Sequence, residues 1–194
     1  MRIAVNTRFL QKNQLEGYGH FINEIFKRIV YNNPNDEFLF LFDRPYHDEF
    51  IYAKNVIGKV VTPKARHALS FRYWYDVKIP IVLKKWNADV FISLDGFCSV
   101  TTSIPQIVCI HDLAFLHYPK FISKTNLLYY KLMTPKFIKK AHKIVTVSEF
   151  SKNDIIKNYK TPENKIDVIY SGIRSEFKVA NLAEREKVKK IYSN

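Results

Sequence analysis

Polar and glycine residues directly follow several apolar runs of this sequence, and they are the side chains best placed to do chemistry. These places are the loop after Asn6, Ser93 to Gly96, His111-Asp112, and Ser148. A histidine that ends a strand can hydrogen-bond a sugar hydroxyl or a phosphate, or act as a base. The alternative is that His111 only satisfies local backbone groups and that Asp112 caps the turn after it.

The segment Gly17-Tyr18-Gly19 opens a predicted helix. Free backbone N–H groups and the positive helix end could hold a phosphate or a carboxylate there. The segment lacks the third glycine of the dinucleotide-binding pattern, and no Walker A sequence is present. A loop that needs glycine for its backbone angles is therefore an equally good explanation. Ser148 and Glu149 are foremost a helix start, with Ser148 as the cap and Glu149 in the first turn.

The residue spacing indicates neither a metal site nor a Ser-His-Asp catalytic triad. His117 lies six residues after His111 with no thiol nearby, so we expect no zinc site and no metal cofactor. Ser148 does not stand in a nucleophile-elbow sequence, which argues against a Ser-His-Asp triad. The aromatic stretch 71–75 could stack bases or line a hydrophobic cleft, although such a stripe is more often core.

The elements that must position these residues alternate between strand and helix. Predicted strands cover 3–6, 38–42, 59–62, 89–93, 106–110, 143–147 and 165–170. Predicted helices cover 21–30, 69–85 with a kink or division at Pro80, 123–141 with Ser123 as the cap and a kink at Pro135, 149–159 and 182–191. This order predicts an α/β fold, a Rossmann-like, doubly wound, mainly parallel sheet with helices on both faces. Ligands of such sheets bind outside the carboxyl ends of the strands, where the polar residues above are expected to lie.

Composition places the chain among ordinary globular proteins. The 194 residues are 47% hydrophobic and 25% charged, which excludes disordered, collagen-like and disulfide-scaffold classes. Cys98 and Cys109 both lie in apolar runs, which suits a reducing compartment. The opening residues lack a signal-peptide cleavage site, and no apolar run reaches about 18 residues. We therefore expect a cytoplasmic protein.

The positive charge is distributed unevenly. The formal net charge is +13, with 14 basic and 11 acidic side chains in residues 1–119 and 17 basic and 7 acidic in residues 120–194. Such a field attracts nucleic acid, phosphorylated substrates or an anionic membrane surface, and does not choose among them.

Several motifs, taken in order, resemble the N-terminal half of a GT-B glycosyltransferase, most closely the retaining enzymes of family 4. They are Arg8, Glu16–His20, Ile110–Asp112, Ile144–Ile155, and Lys165–Ile173 with Phe177. The resemblance implies two Rossmann-like domains that face each other across a cleft. The N-terminal domain holds the acceptor, and the C-terminal domain binds the nucleotide sugar. Arg174 departs from the family, which usually carries aspartate there.

The resemblance also implies a role for each candidate residue. His111 is the catalytic residue and contacts the donor sugar and the transferring centre. The backbone N–H groups of the glycine segment approach the donor diphosphate; its residues are Gly17, Tyr18 and Gly19. The acceptor side is lined by Arg8, Asp112, Ser148 and Glu149. The nucleotide-sugar donor is a substrate, and no cofactor or metal is expected.

These implications give the expected organisation and function. Residues 1–175 form the acceptor-side domain, and residues 176–194 begin the connection to a missing C-terminal nucleotide-sugar domain, so the fragment alone is expected to be inactive. The full enzyme transfers a sugar, with retention, to a glycan or lipid-linked acceptor in cell-surface polysaccharide synthesis. It is expected in the cytoplasm, peripheral at the inner face of the cell membrane. The alternatives are a non-catalytic sugar-phosphate-binding domain and a basic nucleic-acid-binding module, although no motif supports specific nucleic-acid binding.

Overall fold

One parallel sheet organises residues 1–65, 68–173 and 177–192, which are the part of the chain that the computed structural model describes. Its strands are β1 Arg2–Asn6, β2 Glu37–Phe42, β3 Val56–Val60, β4 Val90–Ser93, β5 Gln106–Cys109, β6 Lys143–Thr146 and β7 Ile166–Val168. The strand order is β3-β2-β1-β4-β5-β6-β7, and every neighbouring pair is parallel. The order of connection reverses between β1 and β4, which makes this the switch point of a doubly wound sheet.

Helices connect the strands. The α-helices are α1 Gly17–Asn32, α2 Ala68–Tyr73, α3 Ile79–Trp86, α4 Ala114–His117, α5 Lys124–Lys140, α6 Glu149–Tyr159 and α7 Leu182–Tyr192. A π-helical turn, Trp74–Lys78, joins α2 to α3, and short 3₁₀ turns cover Asp48–Phe50, Pro119–Phe121 and Glu163–Lys165. Ser123 and Ser148 cap α5 and α6 through their side chains, as the sequence predicts.

Both faces of the sheet are covered, which explains why its strands are apolar without alternation. Val5 and Phe40 face the buried side of α1, where they pack with Phe26. The residues next to them in sequence point to the opposite face, where Ala4 packs in the cluster that contains Trp74 of the π turn. The prediction of a doubly wound, Rossmann-like α/β fold is confirmed.

The predicted elements differ from the structure mainly at the sheet edges and between α2 and α3. The edge strand β3 begins and ends earlier than predicted, because its register follows β2, with Val56 opposite Phe38. The other edge strand, β7, is only Ile166–Val168. The predicted break at Pro80 is present as the π turn Trp74–Lys78, which ends directly before α3, and Pro80 lies in the first turn of α3. The Asp76 carbonyl, four residues before Pro80, accepts instead from the Thr101 hydroxyl at 2.6 Å. Pro135 lies within α5, which continues through it.

The C-terminal helix α7 buries no side chain. The predicted domain boundary at residue 175, and Arg174 with it, lie outside the described residues. The division at that point stays a prediction.

Candidate active site

A cleft of about 780 Å³ opens at the carboxyl ends of β1, β4 and β5, the edge at which a doubly wound sheet binds ligands. Aromatic rings form much of its wall, among them Phe9, Phe71, Phe97, Tyr129 and Tyr130. The polar and charged lining comes from the strand ends and includes Arg8, Asp95, His111 and Asp112. A mainly aromatic cleft with a few convergent polar groups is typical of a small-molecule site.

His111 follows β5 and is held by contacts on its ring and its backbone. The ring packs edge-on against Tyr18 and Phe21, with centroid distances of 4.9 and 5.0 Å. Its Nε2 lies 2.9 Å from the carbonyl oxygen of Leu94, an acceptor, so Nε2 must carry the proton of that hydrogen bond. In the neutral ring Nδ1 is then the acceptor, free of that bond and able to take a hydrogen bond from a hydroxyl.

The residues at the start of α6 are hydrogen-bonded to the backbone of His111. The Ser148 hydroxyl accepts from the Ser151 N–H at 3.1 Å and donates to the Ser151 hydroxyl at 3.0 Å. Ser151 in turn donates to the carbonyl of His111 at 2.8 Å. Glu149 is exposed in the first turn of the helix. Neither Ser148 nor Glu149 is among the residues that line the cleft, so the structure places both outside it.

The first turn of α1 lies beside His111, and its two glycines have different surroundings. Gly17 is exposed, and a Cβ added to it would meet no atom within 4 Å. Gly19 is buried, and its Cβ would lie 2.7 Å from the carbonyl oxygen of Phe9, so close packing alone requires glycine there. Tyr18 between them lines the cleft. Burial, with the nearby Asp112 carboxylate, raises the pKa of its hydroxyl to about 12.

A buried hydrogen-bond network lies beneath the cleft and centres on Asp95, which is fully enclosed. This carboxylate accepts from the Tyr75 hydroxyl at 2.9 Å, from the Ser93 hydroxyl at 2.9 Å and from the Asn6 amide at 2.8 Å. Arg8 adds a charged hydrogen bond from Nε at 2.8 Å. The network joins the ends of β1 and β4 to the π turn and so holds the floor of the cleft in one arrangement.

The Arg8 guanidinium lies over aromatic rings as well as against Asp95. Its central carbon is 4.6 Å from the centroid of Phe9 and 4.5 Å from that of Phe71. Burial is the largest influence and lowers the pKa of this group, but the Asp95 carboxylate and the Tyr75 hydroxyl together outweigh it, and the pKa is raised. Arg8 is therefore a fixed positive charge in the wall of the cleft.

The sequence does not predict the hydrogen-bonding roles of Asp95 and Tyr75. Asp95 lies within Ser93 to Gly96, one of the strand ends singled out, but nothing local distinguishes a network centre from an exposed loop carboxylate. Tyr75 belongs to the aromatic stretch 71–75, which the structure divides. Trp74 and Tyr75 are fully buried, whereas Phe71 lines the cleft. Asp112 does both of the things considered for it, since it accepts from the Ala114 N–H at 2.8 Å and also lines the cleft.

Among residues 1–65, 68–173 and 177–192, no group of three or more His, Cys, Asp or Glu side chains is arranged to hold a metal ion. His117 instead pairs with Asp154, whose carboxylate lies 2.7 Å from Nε2. None of the helices in the described part of the chain combines the length and apolar character needed to cross a membrane.

Known proteins resemble this chain both in sequence and in fold. Residues 36–177 match the sequence model of Glycosyltransferase Family 4. The O-antigen chain mannosyltransferase RfbU of Salmonella typhimurium is 26% identical over 143 residues, covering 68% of this chain and 38% of that protein. Anabaena Alr3699/HepE, solved in complex with UDP and glucose, superposes with a TM-score of 0.56 at 14% identity, over 100% of this chain and 50% of that one. A glycosyltransferase from Rickettsia africae gives a TM-score of 0.48 at 14% identity, over 98% of this chain and 49% of that one. The chain thus spans half the length, or less, of the relatives that it matches.

Proposed function

Because this chain belongs to glycosyltransferase family 4, we propose that it supplies the acceptor-side domain of an enzyme that transfers a sugar from a nucleotide sugar to a glycan or lipid-linked acceptor. The observation that carries the proposal is the position of His111, in the wall of an aromatic cleft at the switch point of the sheet, with the first turn of α1 packed on its ring. The similarity to an O-antigen mannosyltransferase supports cell-surface polysaccharide synthesis, and the family resemblance supports retention.

In this proposal the start of α1 faces the donor diphosphate. Glu16 precedes the helix without a side-chain cap, so the first backbone N–H groups stay available to an anion. Gly17 and Tyr18 are exposed and can approach the diphosphate, whereas the buried Gly19 contributes by letting the turn pack closely. The positive helix end stabilises the negative charge that grows on the leaving diphosphate. The HepE complex with UDP and glucose supports a nucleotide-sugar donor.

His111 is the catalytic residue of the proposal. With Nε2 held by the Leu94 carbonyl, Nδ1 is the atom that hydrogen-bonds a hydroxyl of the donor sugar beside the transferring centre. Arg8 and Asp112 line the acceptor side of the cleft. Ser148 acts as a positioning residue, through Ser151 and the His111 carbonyl, and Glu149 supports the start of α6. No metal cofactor is part of the proposed scheme.

The test is sugar transfer by the full-length protein that carries this chain, with a panel of nucleotide sugars. We expect His111→Ala to lower kcat by about 100-fold, the usual contribution of a positioned side chain, with the fold intact by circular dichroism. The matched control is His117→Gln, because His117 also follows β5 but bonds Asp154 and does not line the cleft. Unchanged transfer by His111→Ala, or an equal loss in both variants, would remove the proposed role of His111.

We also propose that the protein lies at an anionic membrane surface, through the outer face of α5. This face consists of exposed lysines and leucines at helical spacing: Lys124, Leu128, Lys131, Leu132, Lys136 and Lys139. Leu128 and Leu132 are 60% and 57% exposed, and nothing else in the described chain covers them. Leucines among lysines on one helix face suit an interface with anionic lipid headgroups. Phe137 and Ile138 lie between these lysines in sequence but are buried, so they do not belong to this face.

Co-sedimentation with vesicles tests this surface. We expect binding to phosphatidylglycerol vesicles and none to pure phosphatidylcholine, with a loss of binding when Leu128 and Leu132 are both changed to serine. Ile81→Ser is the control, since Ile81 is 57% exposed on α3. Equal sedimentation with the two lipids would refute the membrane proposal and leave the transfer proposal standing.

A further inference from the structure

Arg8 has hydrogen-bonding capacity that the described chain does not use. The residue is 8% exposed and lines the cleft, and its Nε is committed to Asp95. Neither Nη1 nor Nη2 has a hydrogen-bond partner within residues 1–65, 68–173 and 177–192. A guanidinium has five N–H donors, and those of the two Nη groups are accessible from the cleft, since neither nitrogen is among the buried side-chain atoms that lack a partner. Donors left over at the wall of a cleft indicate a ligand that takes them up.

Arg44 shows what a satisfied arginine looks like in an equivalent place. It follows β2 much as Arg8 follows β1, and it too pairs with a buried aspartate at the strand end. Its Nε and Nη2 donate to Asp43 at 2.6 and 3.0 Å, and its Nη1 donates to Gln11 at 2.7 Å. Every nitrogen of Arg44 is thus engaged by the protein itself, and Arg44 does not line the cleft. The two arginines differ in what remains for a ligand.

The Arg8 side chain is also held rigidly. Asp95 fixes Nε, and Asp95 is itself held by Tyr75, Ser93 and Asn6. The central carbon of the guanidinium, Cζ, lies 4.6 Å from the ring centroid of Phe9 and 4.5 Å from that of Phe71. Such a group loses little conformational freedom when it binds, and its planar fork matches the two oxygens of a carboxylate or a phosphate.

We infer that the Nη1 and Nη2 groups of Arg8 form a subsite for an anionic group of the acceptor, with the rest of the acceptor packed on the aromatic wall. This inference rests on the proposed function and narrows its acceptor to a molecule that carries a carboxylate or a phosphate. An acidic sugar would supply the first, and the phosphate of a lipid carrier the second. Both present paired oxygens beside a body that an aromatic surface can hold.

Calorimetric binding of matched probes to the full 194-residue chain tests the subsite. The probes are methyl glucuronide against methyl glucoside, and geranyl diphosphate against geraniol. We expect at least one anionic probe to bind about tenfold or more tightly than its neutral partner, as a charge-assisted hydrogen bond provides. The anionic probe that shows the difference identifies the source of the charge.

Variants then assign the effect to Arg8. Arg8→Gln alone leaves Asp95 as a buried charge without its partner and could unfold the chain. The double variant Arg8→Gln/Asp95→Asn removes both charges together, and we expect it to abolish the preference for the anion. Arg8→Lys keeps the charge but not the fork, and we expect about tenfold weaker binding of the anionic probe. Arg44→Gln/Asp43→Asn is the matched control, because it removes the equivalent buried pair away from the cleft, and it leaves the preference unchanged.

Equal binding of the charged and neutral probes, no binding of either anionic probe, or an equal loss in Arg44→Gln/Asp43→Asn would overturn the subsite. The proposed function is judged separately, by sugar transfer in the full-length protein and its dependence on His111. Transfer to anionic acceptors that is unaffected by Arg8→Gln/Asp95→Asn would refute the subsite and leave the enzyme standing. Absence of transfer to any acceptor would instead refute the proposed function, whatever Arg8 binds.

Discussion

Replacing Gly19 by alanine tests whether the first turn of α1 is packed directly on the loop after β1. The new Cβ would lie 2.7 Å from the carbonyl oxygen of Phe9 and 2.9 Å from Cδ2 of Leu15. Leu15 can rotate its side chain away. Phe9 cannot yield as easily, because its carbonyl is backbone and the next residue, Leu10, donates its N–H to the carbonyl of Thr7 at 2.9 Å.

The expected magnitude follows from these contacts. Overpacking of this kind costs about 1–3 kcal/mol. The higher helix propensity of alanine returns at most about 1 kcal/mol. We therefore expect Gly19→Ala to lower the free energy of unfolding by about 1–2 kcal/mol. Gly17→Ala is the matched control in the same turn, because nothing lies within 4 Å of its Cβ, and it should be neutral or slightly stabilising.

Urea unfolding of the chain, followed by circular dichroism at the helix band, measures both variants, and the m-value checks that the unfolded reference is unchanged. A Gly19→Ala protein as stable as the parent would refute the packing argument and leave diphosphate approach as the reason for the glycine. A loss of the same size in Gly17→Ala would show that the turn needs glycine for its backbone freedom, a reason that its helical position does not suggest.

Further predictions concern the buried network, the thiols and the last helix. Tyr75→Phe removes a fully buried hydroxyl that donates to Asp95 and accepts from Asn6, so we expect urea unfolding to show a loss of about 1–3 kcal/mol; no measurable loss would mean that the network does not hold the floor of the cleft. Burial raises the pKa of Cys98 and Cys109 to about 12, above the usual 9.0. The unfolded thiols lose their protons at lower pH than the folded ones. The stabilisation that comes from keeping the folded thiols protonated is therefore present below pH 9 and is lost as the pH rises toward 12. The free energy of unfolding should fall less steeply across that range when both cysteines are replaced by alanine. Ending the chain before α7 should change the unfolding free energy by no more than about 0.5 kcal/mol, because that helix buries no side chain, and a larger drop would show that it packs on the domain.

Local signals in the sequence were strong enough to predict most of the elements. Continuous apolar runs such as β2 have few other uses than a strand covered on both faces, and serine caps such as Ser123 and Ser148 mark helix starts within a few residues. The errors lie where a neighbour decides the outcome. The edge strand β3 takes its register from β2. The one-turn helix α4 is not among the predicted helices, and its first N–H, that of Ala114, donates to the Asp112 side chain.

The sequence by itself determined which strand ends would carry chemistry, because parallel strands place their carboxyl ends on one edge and the polar residues directly follow the apolar runs. Arg8, Tyr18, His111 and Asp112 accordingly lie around one cleft. Only the tertiary structure decided what each does there. Residues as distant as Asn6 and Asp95 meet in one network, and that pairing leaves two nitrogens of Arg8 without a partner in the described chain. The spacing of residues along the chain does not predict such contacts, because they form only when the strands pair and the helices pack on the sheet.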